Sequence, residues 1–463
     1  MAAALSGCSM FGADAPPLPP AAPRLAGAAS QNDRDHAKLV AAFGGEVRAP
    51  AAQRLLAEVT ARLVAASERP DEVYQVTILN SPVVNAFALP TGRLYVTRGL
   101  LALANDTAEV AAVLSHEIAH VALRHASQRG ELEARSALIT QVTEDVLKNP
   151  AEAAVVRDRS RFVLASFSRS QELEADEAGV KVLARAGFDP FGAPRFLTAL
   201  GRSGGGTDQN RPTLSDMLDT HPSTAERISQ ALQAARRASA PGIGESDRAR
   251  YLATLDGLAY GDDPSDGLVR GRRFIHGRLG VAFEAPDDLA LENTAEAVLG
   301  ASPNGNRRLL FDAAATPGGQ SLEEVLRTTW SDTIEPGSLE ATTVNGLPVA
   351  TAQSHGKEWW FRLAAIRIGA TTFRLIVATR AGSGDLEALF RRTLASVRVV
   401  TPAEARALQP LRLHVVTARA GDTAEGFAGR MAVDRGLERF LLLNGLERAG
   451  PLTAGQPYKL VIE

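Results

Sequence analysis

This sequence is poor in cysteine, histidine and aromatic residues, and it has no long hydrophobic run. Its single cysteine, Cys8, excludes an internal disulfide. No stretch of about 18 or more apolar residues occurs, so no transmembrane helix is predicted. Lysine and arginine (50 together) nearly balance aspartate and glutamate (53), and no strongly basic block argues for a nucleic-acid partner. The 45% of hydrophobic residues is typical of a globular protein, and 463 residues predict about three domains.

Of only 8 histidines, two stand four residues apart around a glutamate, as His116, Glu117 and His120. Residues four apart share one helix face, so both imidazoles can bind one metal ion, and the glutamate can take a proton from a water on that ion. Asp106 and Glu109 have capping-box spacing, which predicts that a helix begins here and continues through the apolar residues that follow. Burying these three side chains is costly unless they are paired or bind metal. The alternative is a pair of hydrogen-bonded core histidines beside a salt-bridged glutamate.

A catalytic zinc site needs a third protein ligand, and a second predicted helix offers one. Ser168 or Ser170 is a suitable cap for this helix, and Glu172 and Asp176 share one face of it. If that face meets the two histidines, Glu172 reaches the metal. Asp176 then accepts the outer ring N–H of a ligating histidine. The alternative is an acidic helix start that the helix dipole stabilises.

The two helices resemble those of a zinc metalloprotease family that includes the CAAX prenyl protease, HtpX and the periplasmic protease that assists outer-membrane barrel assembly. The family pairs an HExxH helix with a later ExxAD-type helix, matched here by residues 116–120 and 172–176. The resemblance extends over about residues 35–240 and implies a gluzincin-type endopeptidase. By that resemblance the zinc ligands are His116, His120 and Glu172, the general base is Glu117, and Asp176 lies behind the ligands. Polypeptides, as unfolded or misassembled envelope proteins, are the implied substrates.

A stretch of three residues, Asn85, Ala86 and Phe87, resembles the family's edge strand beside the zinc helix. It lies in the second of three short strands predicted over residues 73–79, 84–89 and 94–97. An extended peptide substrate can add to such an edge through main-chain hydrogen bonds. The alternative is an ordinary hairpin that supports the fold.

Two further histidines receive different interpretations. His221 precedes Pro222 and a predicted helix, and similar His-Pro segments followed by an arginine, here Arg227, occur in the family. His221 is interpreted as stabilising the oxyanion of the tetrahedral intermediate, as filling the open zinc position in a resting state, or as a loop histidine without a catalytic part. His125 lies nine residues beyond His116, about 180° round the helix, so it is expected to face away from the metal.

The N-terminal residues Leu5-Ser6-Gly7-Cys8 match a bacterial lipobox, in which the cysteine is lipidated after signal cleavage. Only seven residues precede Cys8, so either the true start lies upstream or the match is accidental. A proline-rich segment over residues 16–23 is typical of an extended tether. Together these features favour a lipoprotein anchored in a membrane on the periplasmic side of the bacterial envelope.

Beyond residue 261 the pattern changes from helical to mixed. Residues 262–402 predict an antiparallel sheet with packed helices, weakly resembling the PsbP-like α+β fold, without paired catalytic residues. Residues 403–463 resemble a LysM module, a small βααβ fold that binds N-acetylglucosamine-containing glycans. The resemblance is carried by Gly421-Asp422-Thr423 and Leu443-Asn444-Gly445-Leu446. The apolar and aromatic residues usual after the first turn are replaced by Ala424-Glu425-Gly426, which leaves peptidoglycan binding open.

The whole sequence therefore predicts a multidomain chain. A lipobox-like N-terminus and tether (1–34) precede a mainly α-helical metalloprotease domain with a small β-sheet (35–261). The α+β domain (262–402) and the LysM-like domain (403–463) follow. The predicted function is a zinc-dependent endopeptidase of the bacterial cell envelope with one Zn²⁺ per chain. The alternatives are an envelope chaperone or assembly scaffold with a latent zinc site, and a peptidoglycan-binding protein.

Overall fold

The computed structural model describes residues 31–125, 167–204, 217, 221–293, 297–314, 320–330, 334–382 and 385–463. Cys8 and the proline-rich tether lie outside these residues. Within them, no helix combines the length and hydropathy that crossing a membrane requires. The chain folds into a helical part that carries a small sheet and a second part dominated by larger sheets. It is therefore a multidomain protein with helical and β-sheet parts.

The helices and strands of the described residues are numbered in chain order. The helices are α1 Gln31–Ala42, α2 Pro50–Ala66, α3 Arg98–Leu103, α4 Thr107–Ala122, α5 Arg169–Arg185, α6 Gly192–Gly204, α7 Ala225–Ala238, α8 Arg248–Ala253, α9 Leu322–Trp330, α10 Leu386–Ser396, α11 Pro402–Ala407, α12 Ala424–Ala428 and α13 Gly436–Leu443. The strands are β1 Gln75–Leu79, β2 Ala86–Leu89, β3 Arg93–Thr97, β4 Ala259–Tyr260, β5 Leu268–Arg270, β6 Arg273–His276, β7 Val281–Glu284, β8 Ala290–Asn293, β9 Ala297–Ala301, β10 Arg307–Ala314, β11 Glu340–Val344, β12 Leu347–His355, β13 Trp359–Ile368, β14 Thr371–Arg380, β15 Arg398–Val399, β16 Leu411–Thr417 and β17 Pro457–Ile462.

The two helices predicted to carry the metal ligands begin at their expected caps. The Asp106 side chain accepts a hydrogen bond from the Glu109 backbone N–H at 2.8 Å and starts α4. Ser168 caps α5, and Gln171 completes a reciprocal capping box. These bonds satisfy N–H groups that have no partner inside the helix. Local sequence therefore determines where each ligand helix begins.

Helix α4 lies at the centre of the helical part, buried along residues 107–120. It packs against α2, α5, α6 and β2, and its apolar residues join one large core with α2 and α3. Gly179 of α5 allows a close approach of the two helices, because a Cβ there would lie 3.2 Å from the Cα of His116. The polar face of α4 is thereby pressed directly against α5.

A small sheet of order β1-β3-β2 flanks α4. Strands β1 and β3 are parallel, whereas β2 pairs with β3 in the antiparallel sense. The position of β2 at the sheet edge agrees with the edge strand predicted from the stretch at 85–87. This edge faces the helix that carries the two histidines.

The second part is built on a seven-stranded sheet of order β11-β12-β13-β14-β10-β9-β8, whose neighbouring strands are all antiparallel. One face packs against α10 and a four-stranded sheet, with Phe283, Phe311 and Phe373 in the shared core. Helix α9 covers β12 and β13 on the other face. Along β10, Leu309 and Phe311 face the first of these cores and are buried, whereas the residues between and beside them are less buried.

The C-terminal segment has the order β16-α12-α13-β17, with β16 and β17 antiparallel. Leu413 and Val461 belong to the same core as α3 and α4, and β16 also pairs with β4. Lys459 is 0% exposed, and its Nζ donates to the carbonyls of Ala102 and Ala104 at 2.7 and 2.6 Å. The C-terminal segment therefore has a small core of its own, around Phe427, Phe440 and Tyr458, and also packs against α3 and α4. The predicted domain boundaries remain predictions.

Candidate metal centre

Four side chains from three segments converge beside α4. His116 and His120 come from α4, Glu172 from the first turn of α5, and His221 from the residues before α7. All four are buried. Their donor atoms lie within 4.8 Å of one another, and no other cluster of this kind occurs in the described ranges.

The spacing of these donor atoms fits a tetrahedral metal ion. The two histidine Nε2 atoms are 3.0 Å apart, and Glu172 oxygens lie 3.6 and 3.4 Å from His116 and His120. His221 Nδ1 lies 2.9 Å from Glu172 Oε1 and 3.3 Å from His116 Nε2. Four ligands about 2.0–2.1 Å from a tetrahedral zinc ion lie about 3.3 Å apart. The donor set of imidazole nitrogens and a carboxylate also matches zinc chemistry.

Asp176 and Arg227 form the layer behind the ligands. Asp176 Oδ1 lies 2.9 Å from His116 Nδ1, and Arg227 donates two hydrogen bonds of 2.7 Å to the Asp176 carboxylate. Arg227 Nη1 also lies 2.7 Å from Glu172 Oε2. Although burial opposes ionisation, the Arg227 and His116 contacts lower the pKa of Asp176 to about 2. The buried arginine thus helps to keep the Asp176 carboxylate charged.

Glu117 lies on the other side of the cluster. It is buried, and among the described residues its Oε1 has no hydrogen-bond partner. His221 Nε2 lies 3.7 Å away, and the Ala88 backbone N–H of β2 bonds to the carboxylate. Burial raises the pKa of Glu117 above its ordinary value. The Glu117 carboxylate therefore lies buried beside the four donors, where burial favours its protonated form.

The predicted substrate-binding stretch is buried. Asn85, Ala86 and Phe87 are at most 3% exposed, and the Phe87 ring stacks on Tyr95 with centroids 4.9 Å apart. Just before the stretch, the Val84 carbonyl accepts the Met217 backbone N–H at 2.9 Å. The three side chains therefore support the sheet, and any role in peptide binding falls to main-chain groups of this edge.

The prediction that His125 faces away from the metal is wrong. Its Nδ1 lies 2.9 Å from His120 Nδ1. Helical periodicity does not apply to His125, because α4 ends at Ala122. Arg124 then adopts a left-handed conformation, with φ of 56°, and redirects the chain. His125 returns to the metal cluster by this reversal and not by helical periodicity.

Two other neighbours of the cluster were not assigned a role from the sequence. The Phe167 ring stacks on His120 with centroids 4.0 Å apart, and it lies just before the cap of α5. Arg227 was noted only as part of the His-Pro segment. The sequence does indicate a role for Arg227, since an arginine in the first turn of a capped helix is a candidate partner for a carboxylate such as Asp176.

Comparison with known proteins places these residues in a recognised segment. Residues 50–235 match the model of peptidase family M48. The chain is 37% identical over 162 residues to mitochondrial metalloendopeptidase OMA1 of Arabidopsis thaliana, which covers 35% of this chain and 31% of that protein. It is 30% identical over 266 residues to the beta-barrel assembly-enhancing protease of Escherichia coli (strain K12), which covers 52% and 53%. The metal-centre residues all lie within the matched segment.

The matches cover part of each relative. A further one, to the beta-barrel assembly-enhancing protease of Yersinia pestis, has 33% identity over 181 residues and covers 37% of this chain and 36% of that protein. The chain thus spans about a third to a half of the length of these curated relatives. Among solved structures, cyanobacterial PsbP from Synechocystis sp. PCC 6803 is similar at 14% identity and a TM-score of 0.23, covering 30% of this chain and 98% of that chain.

Proposed function

From the premise that residues 50–235 form a peptidase family M48 domain, we propose that this protein is a zinc-dependent endopeptidase. The observation that carries the proposal is the buried cluster of His116, His120, Glu172 and His221 at tetrahedral spacing, with Glu117 beside it. A purely structural zinc site needs no adjacent base. The buried Glu117 therefore favours catalysis over a structural role.

In this proposal His116, His120 and Glu172 hold one Zn²⁺. When bound, zinc acts as a Lewis acid that polarises the substrate carbonyl and acidifies water. Glu117 takes a proton from the attacking water while the oxygen of that water bonds to the substrate's carbonyl carbon. Glu117 then delivers that proton to the nitrogen of the leaving amine as the C–N bond breaks. Its raised pKa suits both steps, because the carboxyl must hold the proton between them.

We assign His221 to a resting state. Its Nδ1 stands at the fourth corner of the donor set, 3.3 Å from His116 Nε2 and 2.9 Å from Glu172 Oε1. A water or a substrate carbonyl requires that corner, so His221 must leave it before cleavage.

Zinc analysis and casein cleavage by the full chain test the proposal. Glu117→Gln should retain the metal and lose at least about 100-fold in activity, because the general base is removed. Glu177→Gln is the matched control, since this carboxylate is half-exposed on α5 and pairs with Lys181. Equal cleavage by the wild-type protein and Glu117→Gln would remove the enzymatic assignment.

The rival function, a chaperone or scaffold with a latent zinc site, is favoured by the closed set of four donors. His221→Ala separates the two. At saturating zinc the variant should cleave casein faster than the wild-type protein, and it should bind zinc more weakly because one donor is lost. Slower cleavage at saturating zinc would assign His221 to the chemistry, and no cleavage by either protein would support the scaffold.

We propose unfolded or misassembled envelope proteins as substrates and the periplasmic side of the envelope as the location. The similarity to relatives named beta-barrel assembly-enhancing protease supports both. Lipidation of Cys8 is the proposed anchor. Incorporation of labelled fatty acid into the wild-type protein but not into Cys8→Ala is the expected result, and equal labelling would exclude it.

Binding of peptidoglycan by residues 403–463 is a separate proposal, supported by the β16-α12-α13-β17 order. Deleting these residues is a poor test, since Leu413 and Lys459 are buried against the peptidase. A pull-down that compares the wild-type chain with Asp422→Lys, in the first loop after β16, leaves that core intact. Undiminished retention would exclude this loop as the contact.

A further inference from the structure

We infer that His125 and Glu174 are positioning residues that fix the ring of His120 for metal binding. The inference rests on the proposed zinc site. His125 is 1% exposed and places its Nδ1 2.9 Å from Nδ1 of His120. On its far side, its Nε2 lies 3.4 Å from Glu174 Oε2 of α5. The three side chains form a chain from the metal cluster to the protein surface.

The direction of the hydrogen bonds follows from the chemistry of imidazole. His120 turns its Nε2 towards the cluster, so a metal ion there takes the Nε2 lone pair. A neutral imidazole bound in this way carries its proton on Nδ1 and must donate it. The atom in reach is His125 Nδ1, which accepts only when the His125 proton is on Nε2. Glu174 selects that tautomer by offering its carboxylate to the Nε2 proton.

The two ligating histidines are therefore supported differently. His116 has the buried carboxylate of Asp176 beside its Nδ1, whereas His120 has a neighbouring imidazole and, behind it, a carboxylate that is 61% exposed. Phe167 stacks on the face of the His120 ring at 4.0 Å. In-plane rotation of the ring is thus limited by His125 and tilting by Phe167.

Zinc affinity of the metal-free full chain, measured by competition with a chromogenic chelator, tests this role without relying on activity. His125→Leu should weaken zinc binding about 10- to 100-fold, the usual effect of losing a partner of a metal ligand. His125→Asn should restore near-wild-type affinity, because Asn Oδ1 takes the place of Nδ1 and accepts the same proton. The absorption spectrum of the cobalt-substituted protein should change in the leucine variant and not in the asparagine variant.

Glu174 supplies an independent arm. Glu174→Ala should weaken zinc binding in the wild-type background and have no further effect on His125→Asn, which needs no tautomer selection. Glu177→Ala, three residues further along α5, is the matched control and should leave affinity unchanged. The inference is overturned if His125→Leu binds zinc like the wild-type protein, or if His125→Asn is as weak as His125→Leu. Failure of the wild-type chain to bind zinc at all would instead overturn the proposed function.

Discussion

At the scale of single residues, Arg227 is the buried cation on which the acidic side of the metal centre depends. It is 3% exposed and contacts both Asp176 and Glu172 at 2.7 Å. Arg227 also donates a hydrogen bond of 3.1 Å to the backbone carbonyl of Pro222. Placing two carboxylates and one guanidinium away from water is tolerable only while all three are paired.

Replacing Arg227 should therefore destabilise the protein strongly. Arg227→Met leaves two buried carboxylates without their cation, which costs about 3–5 kcal/mol of unfolding free energy. Denaturant unfolding of the metal-free chain measures this loss. Arg237→Met on the same helix is the control, since that side chain is 61% exposed. Similar unfolding curves for the two variants would show that the Arg227 contacts do not make this contribution to the unfolding free energy.

His276 of β6 gives a prediction about pH. Burial, and secondarily Arg278, lowers its pKa from 6.5 to about 4. Between these values the unfolded chain binds a proton that the folded chain does not. The unfolding free energy therefore rises with pH across this window. Acidification from the upper to the lower value should decrease it by on the order of 2 kcal/mol. Thermal unfolding of the wild-type protein and His276→Asn between pH 7 and pH 4 measures the effect, and parallel curves would contradict it.

The site residues that the sequence could predict are those related by helical spacing. His116 and His120, like Glu172 and Asp176, share a face because capped helices enforce that geometry. His125 was predicted wrongly, since its position follows from a left-handed residue at Arg124, which helical periodicity does not encode. The approach of Phe167 to His120 also depends on tertiary packing.

At the scale of elements, the separation of α4 and α5 decides whether Glu172 can reach the histidines. A Cβ at Gly179 would lie 3.2 Å from both the Cα and the N of His116. The two backbones are therefore in contact where the ligands meet. An edge strand, β2, and a capped helix, α5, enclose α4 from different sides.

Gly179→Ala should consequently behave unlike an ordinary helix substitution. Alanine in place of glycine in a helix interior usually stabilises by about 0.5–1 kcal/mol, but here the added methyl should cost about 1–3 kcal/mol and weaken zinc binding. Gly426→Ala in α12 is the control, because an added Cβ there comes no closer than 3.4 Å to a neighbouring atom, which is ordinary van der Waals contact. Chemical denaturation and chelator competition measure both effects. Equal or greater stability of Gly179→Ala would show that the helices separate freely.

The element boundaries were more accessible to sequence reasoning than their arrangement. The antiparallel sheet predicted for residues 262–402 is present, and β12, β13 and β14 are adjacent antiparallel strands within it. The order of the seven-stranded sheet was not predictable. It depends on which apolar faces α9 and α10 cover, and many pairings satisfy the same alternation.

At the scale of the whole molecule, distant parts of the chain complete the surroundings of α4. Lys459 lies 357 residues from Ala102, to which it donates. Asn444 bonds to both the backbone N–H and the carbonyl of Lys459, at 2.7 and 2.9 Å, and so holds its strand in place. The resemblance of the C-terminal segment to a separate module gave no sign of this packing, because one sequence does not reveal long-range contacts.

Loss of the buried Lys459 amino group should therefore destabilise the helical part of the chain. Lys459→Met leaves the carbonyls that end α3 without a donor and should lower the unfolding free energy by about 1–3 kcal/mol. It should also weaken zinc binding, since α3 leads directly into α4. Lys181→Met on α5 is the control, with a side chain that is 60% exposed. Denaturant unfolding and zinc titration of both variants measure the effect. Equal stability and zinc affinity of the two variants would mean that the carbonyls of Ala102 and Ala104 do not need Lys459 as a donor.

The contact between Lys459 and the corner before α4 also has a consequence for biosynthesis. A nascent chain exposes His116, Glu117, His120 and Glu172 long before residue 459 has been translated. Until β17 emerges and pairs with β16, the carbonyls of Ala102 and Ala104 lack the Lys459 amino group as a donor. We therefore expect the corner before α4 to complete its hydrogen bonding only after translation of the polypeptide has passed this lysine.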